Sequence, residues 1–442
     1  MQWLKRFGLL LVLATVCALG AEDKVKYVFL FIGDGMSLPQ RMMAEDFLLK
    51  TNQGQLIFNH FPYQAPTTTR AANSLITDSA ASGTAIACGE KTNNGRIGMD
   101  PAAKRNLESV AEIARDRGRK VGIVSCVTIN HATPASFYGH RPSRGNAYEL
   151  GLDLVASKFD YFGGGGLDAP DNKKSAEYQG NIYELAEKAG YKVVSTRADF
   201  EPLTAKDGKI WARGSNGPLP YGLDRKDDAL TLADFTAKGI ELLDNPNGFF
   251  MMVEGGKIDW VCHSNDGGSV LREVLDFNDA VKVAYEFAQK HPKETLIVVT
   301  GDHETGGLSL GFSGTGYTSK VDLLQNQKVT FDRIGERLKA AKSSFEDSKT
   351  VITDCLGLHF DSEKKGDLYV KPEEEARLKE AFERNNLPNA VKALFNNKSS
   401  LGWSSNAHTA LPVMTSAYGE KANEFQGMID NTDIAKKLKP MM

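Results

Sequence analysis

Tyr27-Val-Phe-Leu-Phe-Ile32-Gly33-Asp34-Gly35 is a short, unbroken apolar and aromatic run that ends in glycine, aspartate and glycine. The run has no polar residue at alternate positions and is too short for a buried helix. It therefore reads as a strand covered on both faces. Such strands belong to parallel sheets with helices on either side, and ligands gather at the carboxyl ends of their strands. Asp34 stands at such an end.

Working outward, the same unit recurs. A helix is predicted over residues 37–50, an amphipathic helix over 106–117 and a buried strand over 121–127. A helix at 148–157 leads to a strand at 159–162, closed by the glycines 163–166. Helix 182–188 precedes strand 191–195, helix 230–243 feeds strand 249–253, and helix 269–289 precedes strand 295–300. This alternation predicts an α/β three-layer sandwich, with a large, mostly parallel central sheet and helices on both faces. After residue 305 the composition turns to Gly, Ser, Lys and Glu, with two polar helices near 331–341 and 372–385. The apolar strand pattern resumes only at Leu411-Pro-Val-Met-Thr415. Residues 306–400 are thus expected to be a surface insertion on a single domain spanning 21–442, and Thr432-Asp433 to cap a short terminal helix.

At 442 residues with 41% hydrophobic and 25% charged side chains, the chain has the make-up of a soluble globular protein. A net charge of −3 with both signs well mixed leaves no electrostatic footprint for nucleic acid. Lys5 and Arg6 precede an apolar stretch over 7–18, followed by the small residues Ala18, Gly20 and Ala21. That is the layout of a secretory signal peptide over 1–20, too short for a membrane span, and it predicts export to a periplasmic or extracellular location. Val16 is too bulky for a good lipid-attachment signal at Cys17. Export permits disulfides; Cys88, Cys126, Cys262 and Cys355 allow three pairings or buried thiols.

Chemistry concentrates in a few stretches. In Leu75-Ile-Thr-Asp78-Ser79-Ala-Ala-Ser-Gly-Thr-Ala-Ile-Ala87, Ser79 falls at the junction between a turn and a helix of small residues. It is either an N-cap, with Asp78 its rival, or a hydroxyl held where unpaired N–H groups favour an anion. Glu254-Gly-Gly-Lys-Ile-Asp259-Trp-Val-Cys-His263 directly follows a buried strand. Its i, i+4 spacing puts Asp259 and His263 on one helical face, as two ligands of one ion require. Asp302-His303-Glu304 and Asn406-Ala-His408-Thr409 add further oxygen and nitrogen donors. Mixed carboxylate and imidazole sets suit zinc, and an oxygen-rich position suits magnesium.

With these motifs in order, the sequence resembles the alkaline phosphatase family: Gly33-Asp34-Gly35-Met36, Thr77-Asp78-Ser79-Ala80-Ala81, His131-Ala-Thr133-Pro-Ala135, the segment 254–263, Gly301-Asp302-His303 and His408-Thr409. The resemblance spans nearly the whole mature chain. It implies a metal-dependent hydrolase of small phosphate monoesters, with Ser79 as nucleophile passing through a phosphoserine and Arg144 gripping phosphate, Arg141 being the local competitor for that role. It implies Asp259, His263 and His408 as ligands of a first zinc, and Asp34, Asp302 and His303, with Ser79, around a second. Asp34, Thr133 and Glu254 would complete a magnesium site. A homodimer is implied as well.

His131 and Trp260, expected just behind the ligands, stand where members of the family vary, and a histidine there could turn the third site toward zinc. His60, His140, His291 and His359 lack ligand-like neighbours and are expected to be structural or on the surface. The glycines 163–166 lack the lysine and serine of a nucleotide loop and read as a strand exit, and 362–371 as a solvated face. Two other hydrolases of the same metal fold are alternatives. A sulfatase would need a different motif around Ser79, and a diesterase usually carries threonine in its place. A non-catalytic phosphate or metal binder would have no use for a nucleophile.

Overall fold

The computed structural model describes residues 25–341 and 343–442; the expected leader over 1–20 lies outside them. β1, Tyr27–Gly33, is buried along its whole length. Tyr27, Phe29 and Phe31 enter one apolar core, and Val28, Leu30 and Ile32 the other. Side chains of period two divide this way when both faces of a sheet are covered.

The other strands are β2 (Tyr63–Thr68), β3 (Lys120–Ser125), β4 (Tyr161–Gly164), β5 (Tyr191–Val194), β6 (Lys209–Arg213) and β7 (Phe249–Glu254). They continue with β8 (Thr295–Gly301), β9 (Glu304–Thr305), β10 (Leu308–Leu310), β11 (Leu401–Trp403), β12 (His408–Thr409), β13 (Val413–Gly419) and β14 (Ile429–Asp430). Ten of them form one sheet in the order β14-β2-β13-β8-β1-β7-β3-β4-β6-β5. Its pairings are parallel except those of β13, which opposes both β8 and β2. One core is closed by the helices Leu38–Lys50, Leu232–Leu243 and Gly267–Lys290, through Phe47, Phe235, Val274 and Phe277. The other is closed by Ser79–Cys88, Ala147–Ser157 and Asn431–Leu438, through Ile86, Leu154 and Ile434. This is the three-layer α/β arrangement expected.

Register positions the site. Ile32 pairs with Glu254 on one side and Thr300 on the other, Gly33 pairs with Gly301, and Ser125 pairs with Glu254. The four central strands β8, β1, β7 and β3 therefore end level. Asp302, Asp34, Glu254 and Ser125 emerge side by side, at the spacing of neighbouring strands.

Several local expectations change. β2 was not anticipated because Pro66 interrupts it; β14 pairs only with Thr67 and Thr68, so Pro66 sits where the strand is an edge. The amphipathic helix expected from 106 begins at Val110, after Ser109, which accepts from the Glu112 N–H while the Glu112 carboxylate caps the Ser109 N–H. The last helix is capped by Asp430, with Asp433 closing the capping box, not by Thr432-Asp433. Between β10 and β11, which pair antiparallel, four helices form where two were predicted: Phe331–Ala340, Phe345–Leu356, Pro372–Glu383 and Leu387–Lys398. Ile334, Ile352, Val391 and Phe395 from this segment join the first core. No helix among the described residues is long and apolar enough to cross a membrane.

Candidate active site

Ser79 is the first residue of the helix Ser79–Cys88, all of which is buried. Asp78, not Ser79, caps that helix by accepting from the Ala81 N–H. This leaves the Ser79 hydroxyl free to face the strand ends, and its Oγ lies 3.2 Å from His303 Nε2. The same Nε2 is 3.3 Å from Asp34 Oδ1 and 3.3 Å from Asp302 Oδ2. Asp34, Asp302 and His303 are wholly buried.

A second cluster lies beside the first. On the short helix Lys257–His263, His263 Nε2 is 3.4 Å from Asp259 Oδ2. His408 reaches in from β12, with its Nε2 3.5 Å from Asp259 Oδ1 and 3.2 Å from His263 Nε2. Each imidazole spends its Nδ1–H on a backbone carbonyl, His263 on Asn406 at 2.6 Å and His408 on Thr77 at 2.8 Å. Two ring nitrogens with their lone pairs turned on each other at such a distance need a positive charge between them.

The third group is built on Glu254, whose carboxylate accepts from Ser125 Oγ. Thr133 Oγ1 approaches Asp34 Oδ2 at 3.4 Å. Asp34, His131 and Glu254 all offer ligand atoms within 4.8 Å of one another, so His131 stands among the donors rather than behind them. Trp260 stays behind, edge-on to the His131 ring at 5.9 Å.

Three buried carboxylate oxygens here, Asp34 Oδ1, Glu254 Oε1 and Asp302 Oδ2, have no hydrogen-bond partner. Burial and then the neighbouring carboxylates push Asp34 well above the usual range. Burial, together with the surrounding carboxylates, lifts Asp302 to about 7 and Glu254 to about 8. Burial also opposes the charge of Asp259, but the His263 hydrogen bond and the facing histidines hold it well below its ordinary value. With no cation between the rings, the Asp259 carboxylate draws a proton onto His263 Nε2 and raises His263 to about 8. Orphaned anionic oxygens and facing imidazole lone pairs are what a set of cation ligands looks like; the donors fit metal ions.

Arg144 is a third exposed at the rim. Its Nη1 donates to Asp78 Oδ2 at 3.0 Å, and its Nη2 lies 3.3 Å from His131 Nε2. Burial and the Arg144 charge lower His131 to about 4, which keeps its ring neutral. Arg141 is committed elsewhere, to Asp153 and Glu177. His60 pairs with Glu45, His140 with Glu112, and His291 with Glu294. His359 Nδ1 is buried without a partner, far along the chain from these clusters. The four described cysteines are buried free thiols. Sequence reasoning missed two residues that touch the site, Thr305 and Ser125, and gave Asp78 only its capping role. Neither Thr305 nor Ser125 carries a motif signal of its own.

Residues 25–442 match the family model described as alkaline phosphatase. Alkaline phosphatase 3 of Bacillus subtilis (strain 168) is 33% identical over 437 residues, covering 95% of this chain and 89% of the relative. The repressible alkaline phosphatase of Saccharomyces cerevisiae is 29% identical over 492 residues, covering 98% and 85%. Among solved structures, a cold-active alkaline phosphatase from a psychrophilic Shewanella sp. superposes with a TM-score of 0.81 at 30% identity, covering 94% of this chain and 99% of its own.

Proposed function

Because this chain belongs to the alkaline phosphatase family and is a phosphoric monoester hydrolase, we propose that it acts through Ser79 as nucleophile, with Arg144 as the phosphate grip and three bound metal ions. One observation carries the reading: Ser79 Oγ stands at a helix N-terminus, 3.2 Å from His303 Nε2, where donor clusters from separate strands converge.

Asp259, His263 and His408 would hold a first zinc, and Asp34, Asp302 and His303 a second. Asp34, Thr133 and Glu254 would hold magnesium. The two sets that include imidazole suit zinc, and the set of oxygen donors suits the harder ion. In TAB5 alkaline phosphatase, a form with one histidine replaced by glutamate carries magnesium in its M3 site. This chain keeps His131 beside Asp34 and Glu254, so its third site would also accept zinc.

When bound, these ions offset the charge of the ester dianion and make an adjacent hydroxyl or water more acidic. Ser79 gives up its hydroxyl proton to solvent, and its Oγ bonds to phosphorus as the bond to the ester oxygen breaks. The alcohol leaves with a proton taken from solvent, and a phosphoserine remains. Arg144 holds phosphoryl oxygens with its planar fork, which Asp78 keeps aimed at the site. A water oxygen then bonds to phosphorus from the side the alcohol vacated, Ser79 regains its proton, and phosphate departs.

Small phosphate monoesters are the substrates that fit the family. The same reading takes residues 1–20 as a secretory leader and the mature enzyme as an exported homodimer. The test is hydrolysis of a chromogenic phosphate monoester and of the matching diester, with and without chelator, by the parent and by Ser79→Ala. Monoester turnover should dominate, chelator should abolish it, and Ser79→Ala should lose roughly 10³-fold or more in kcat. Turnover indifferent to chelator would overturn the metal roles, and an active Ser79→Ala would overturn the nucleophile.

A further inference from the structure

β9 and β12 form a two-stranded antiparallel ribbon in which His408 opposes Thr305 and Thr409 opposes Glu304. Side chains alternate along each strand, so Thr305 and His408 share the face turned to the donor clusters. On the other face, the buried Glu304 carboxylate accepts from Gln40 Nε2, the Gly307 and Leu308 N–H groups and Thr409 Oγ1. The ribbon is therefore anchored from behind.

Thr305 is wholly buried. Its Oγ1 lies 2.5 Å from Asp259 Oδ1, in one cluster, and 3.2 Å from His303 Nδ1, in the other. A hydroxyl has a single proton to donate, and a carboxylate oxygen can only accept. The Thr305 proton must therefore point at Asp259. What remains on Oγ1 for His303 is lone pairs, so His303 Nδ1 must carry its ring hydrogen. A neutral imidazole protonated at Nδ1 has a bare lone pair at Nε2. Nε2 is the atom that faces Asp34, Asp302 and Ser79.

We propose that Thr305 is a positioning residue that locks His303 in its metal-ready tautomer and joins the two zinc clusters through the directed chain His303 Nδ1–H to Thr305 Oγ1–H to Asp259 Oδ1. The inference rests on the two-zinc reading of the site. It separates His303 from its companions, because His263 and His408 take their tautomers from backbone carbonyls, those of Asn406 and Thr77. His303 takes its tautomer from a side chain whose own direction is set by Asp259. The His303 and His408 rings also stack, with centroids 3.6 Å apart, so a slip of one ring disturbs a ligand of each cluster. Because the chain of donors crosses between clusters, the two zinc affinities are coupled through one hydroxyl.

The test compares the parent with Thr305→Val, which keeps the shape and removes the hydroxyl, and Thr305→Ser, which keeps the hydroxyl. Stepwise zinc binding to the metal-free protein is measured by calorimetry, and the His303 ring hydrogen is followed by NMR of histidine labelled with nitrogen-15. Thr305→Val should weaken zinc binding about 10- to 100-fold, and Thr305→Ser should recover most of that loss. The zinc-loaded parent and Thr305→Ser should show a hydrogen-bonded Nδ1–H on His303 that Thr305→Val lacks. Unchanged zinc affinities in a folded Thr305→Val would overturn the inference, as would a His303 in the metal-free parent that carries its hydrogen on Nε2. Should Thr305→Val not fold, the ring signal of the parent and of Thr305→Ser decides alone. A parent that binds no zinc removes the two-zinc reading, whereas a parent that binds zinc with the wrong His303 tautomer removes only the role of Thr305.

Discussion

Asp78 holds Arg144. The Asp78 carboxylate accepts from Arg144 Nη1 at 3.0 Å, from the Gly95 N–H at 2.9 Å and from the Ala81 N–H at 2.9 Å. One side chain thus caps the helix that begins with Ser79 and aims the guanidinium beside it. Asp78→Asn keeps a capping oxygen but loses the charge that restrains Arg144, so the two functions can be pulled apart. We expect little change in thermal stability and a rise in KM of roughly 3- to 30-fold, about 0.7–2 kcal/mol, the worth of a charge-assisted hydrogen bond reduced by solvent at the rim. Inhibition by free phosphate should weaken in parallel, which steady-state kinetics with added phosphate measures.

That link marks the limit of what the sequence discloses. Asp34, Glu254 and Asp302 could be read because each directly follows an apolar strand, and parallel strands bring their carboxyl ends together whatever the loops do. Asp259 and His263 could be read because four residues make one helical turn. The grip of Asp78 on Arg144 spans 66 positions and depends on how two loops meet, which no local period records. Thr305 is a lone threonine in a two-residue strand, and it matters only because β12 is laid beside it. β6 was missed for another reason: Lys209 and Arg213 at its ends hide a buried Ile210-Trp211-Ala212 centre too short to register as a pattern. The helices Phe345–Leu356 and Leu387–Lys398 were missed because they bury narrow apolar stripes under a polar composition.

Metal removal should be felt as proton uptake. With Asp302 raised to about 7 and Glu254 to about 8, chiefly by burial, part of this carboxylate set carries protons near neutral pH when no cation faces it. Rebinding of metal must expel them. Zinc and magnesium added to the chelated enzyme at pH 7 should therefore release protons, measured by calorimetry in buffers of differing ionisation enthalpy. The chelated form should also lose stability as pH rises from about 5 to 8. Across that window the folded state holds protons that the unfolded carboxylates have already lost. The metal-loaded enzyme should show no such slope from these groups.

Glu273 offers a stability gain away from the site. It is 6% exposed and its Oε1 accepts from the Gly222 N–H at 2.8 Å. Burial, then Asp276, lifts Glu273 to about 7. Of the cations that oppose this, Lys257 lies over the Tyr221 ring and Arg225 is engaged by Asp276. Folded Glu273 therefore binds its proton more tightly than the unfolded chain does, so its contribution to stability falls as pH rises from about 4.3 to 7 and stays low above that. The penalty at alkaline pH is on the order of 3 kcal/mol. Glu273→Gln keeps an oxygen for Gly222 and removes the penalty. Scanning calorimetry should find its Tm raised by roughly 3 °C at pH 8–9, with the gain shrinking toward pH 5.

The run of glycines that ends β4 and continues past it is more than a strand exit, and replacing one of them tests it. A Cβ on Gly165 would stand 2.2 Å from the Val127 carbonyl oxygen, and one on Gly166 2.3 Å from that of Asn216. Both obstacles are backbone and cannot rotate away. The closeness lets Gly166 accept from the Ile129 N–H at 2.9 Å and lets the Asn130 side chain donate to the Asp168 carbonyl at 2.8 Å. Those bonds fix the loop that delivers His131 and Thr133 to Glu254. Gly165→Ala should therefore cost about 1–3 kcal/mol of stability from overpacking. It should also weaken magnesium binding roughly 10-fold, through misplaced donors in the folded fraction. Gly217→Ala is the matched control, since nothing lies within 4 Å of its added Cβ. Equal Tm and equal magnesium affinity in the two variants would show that the loop is held by other contacts.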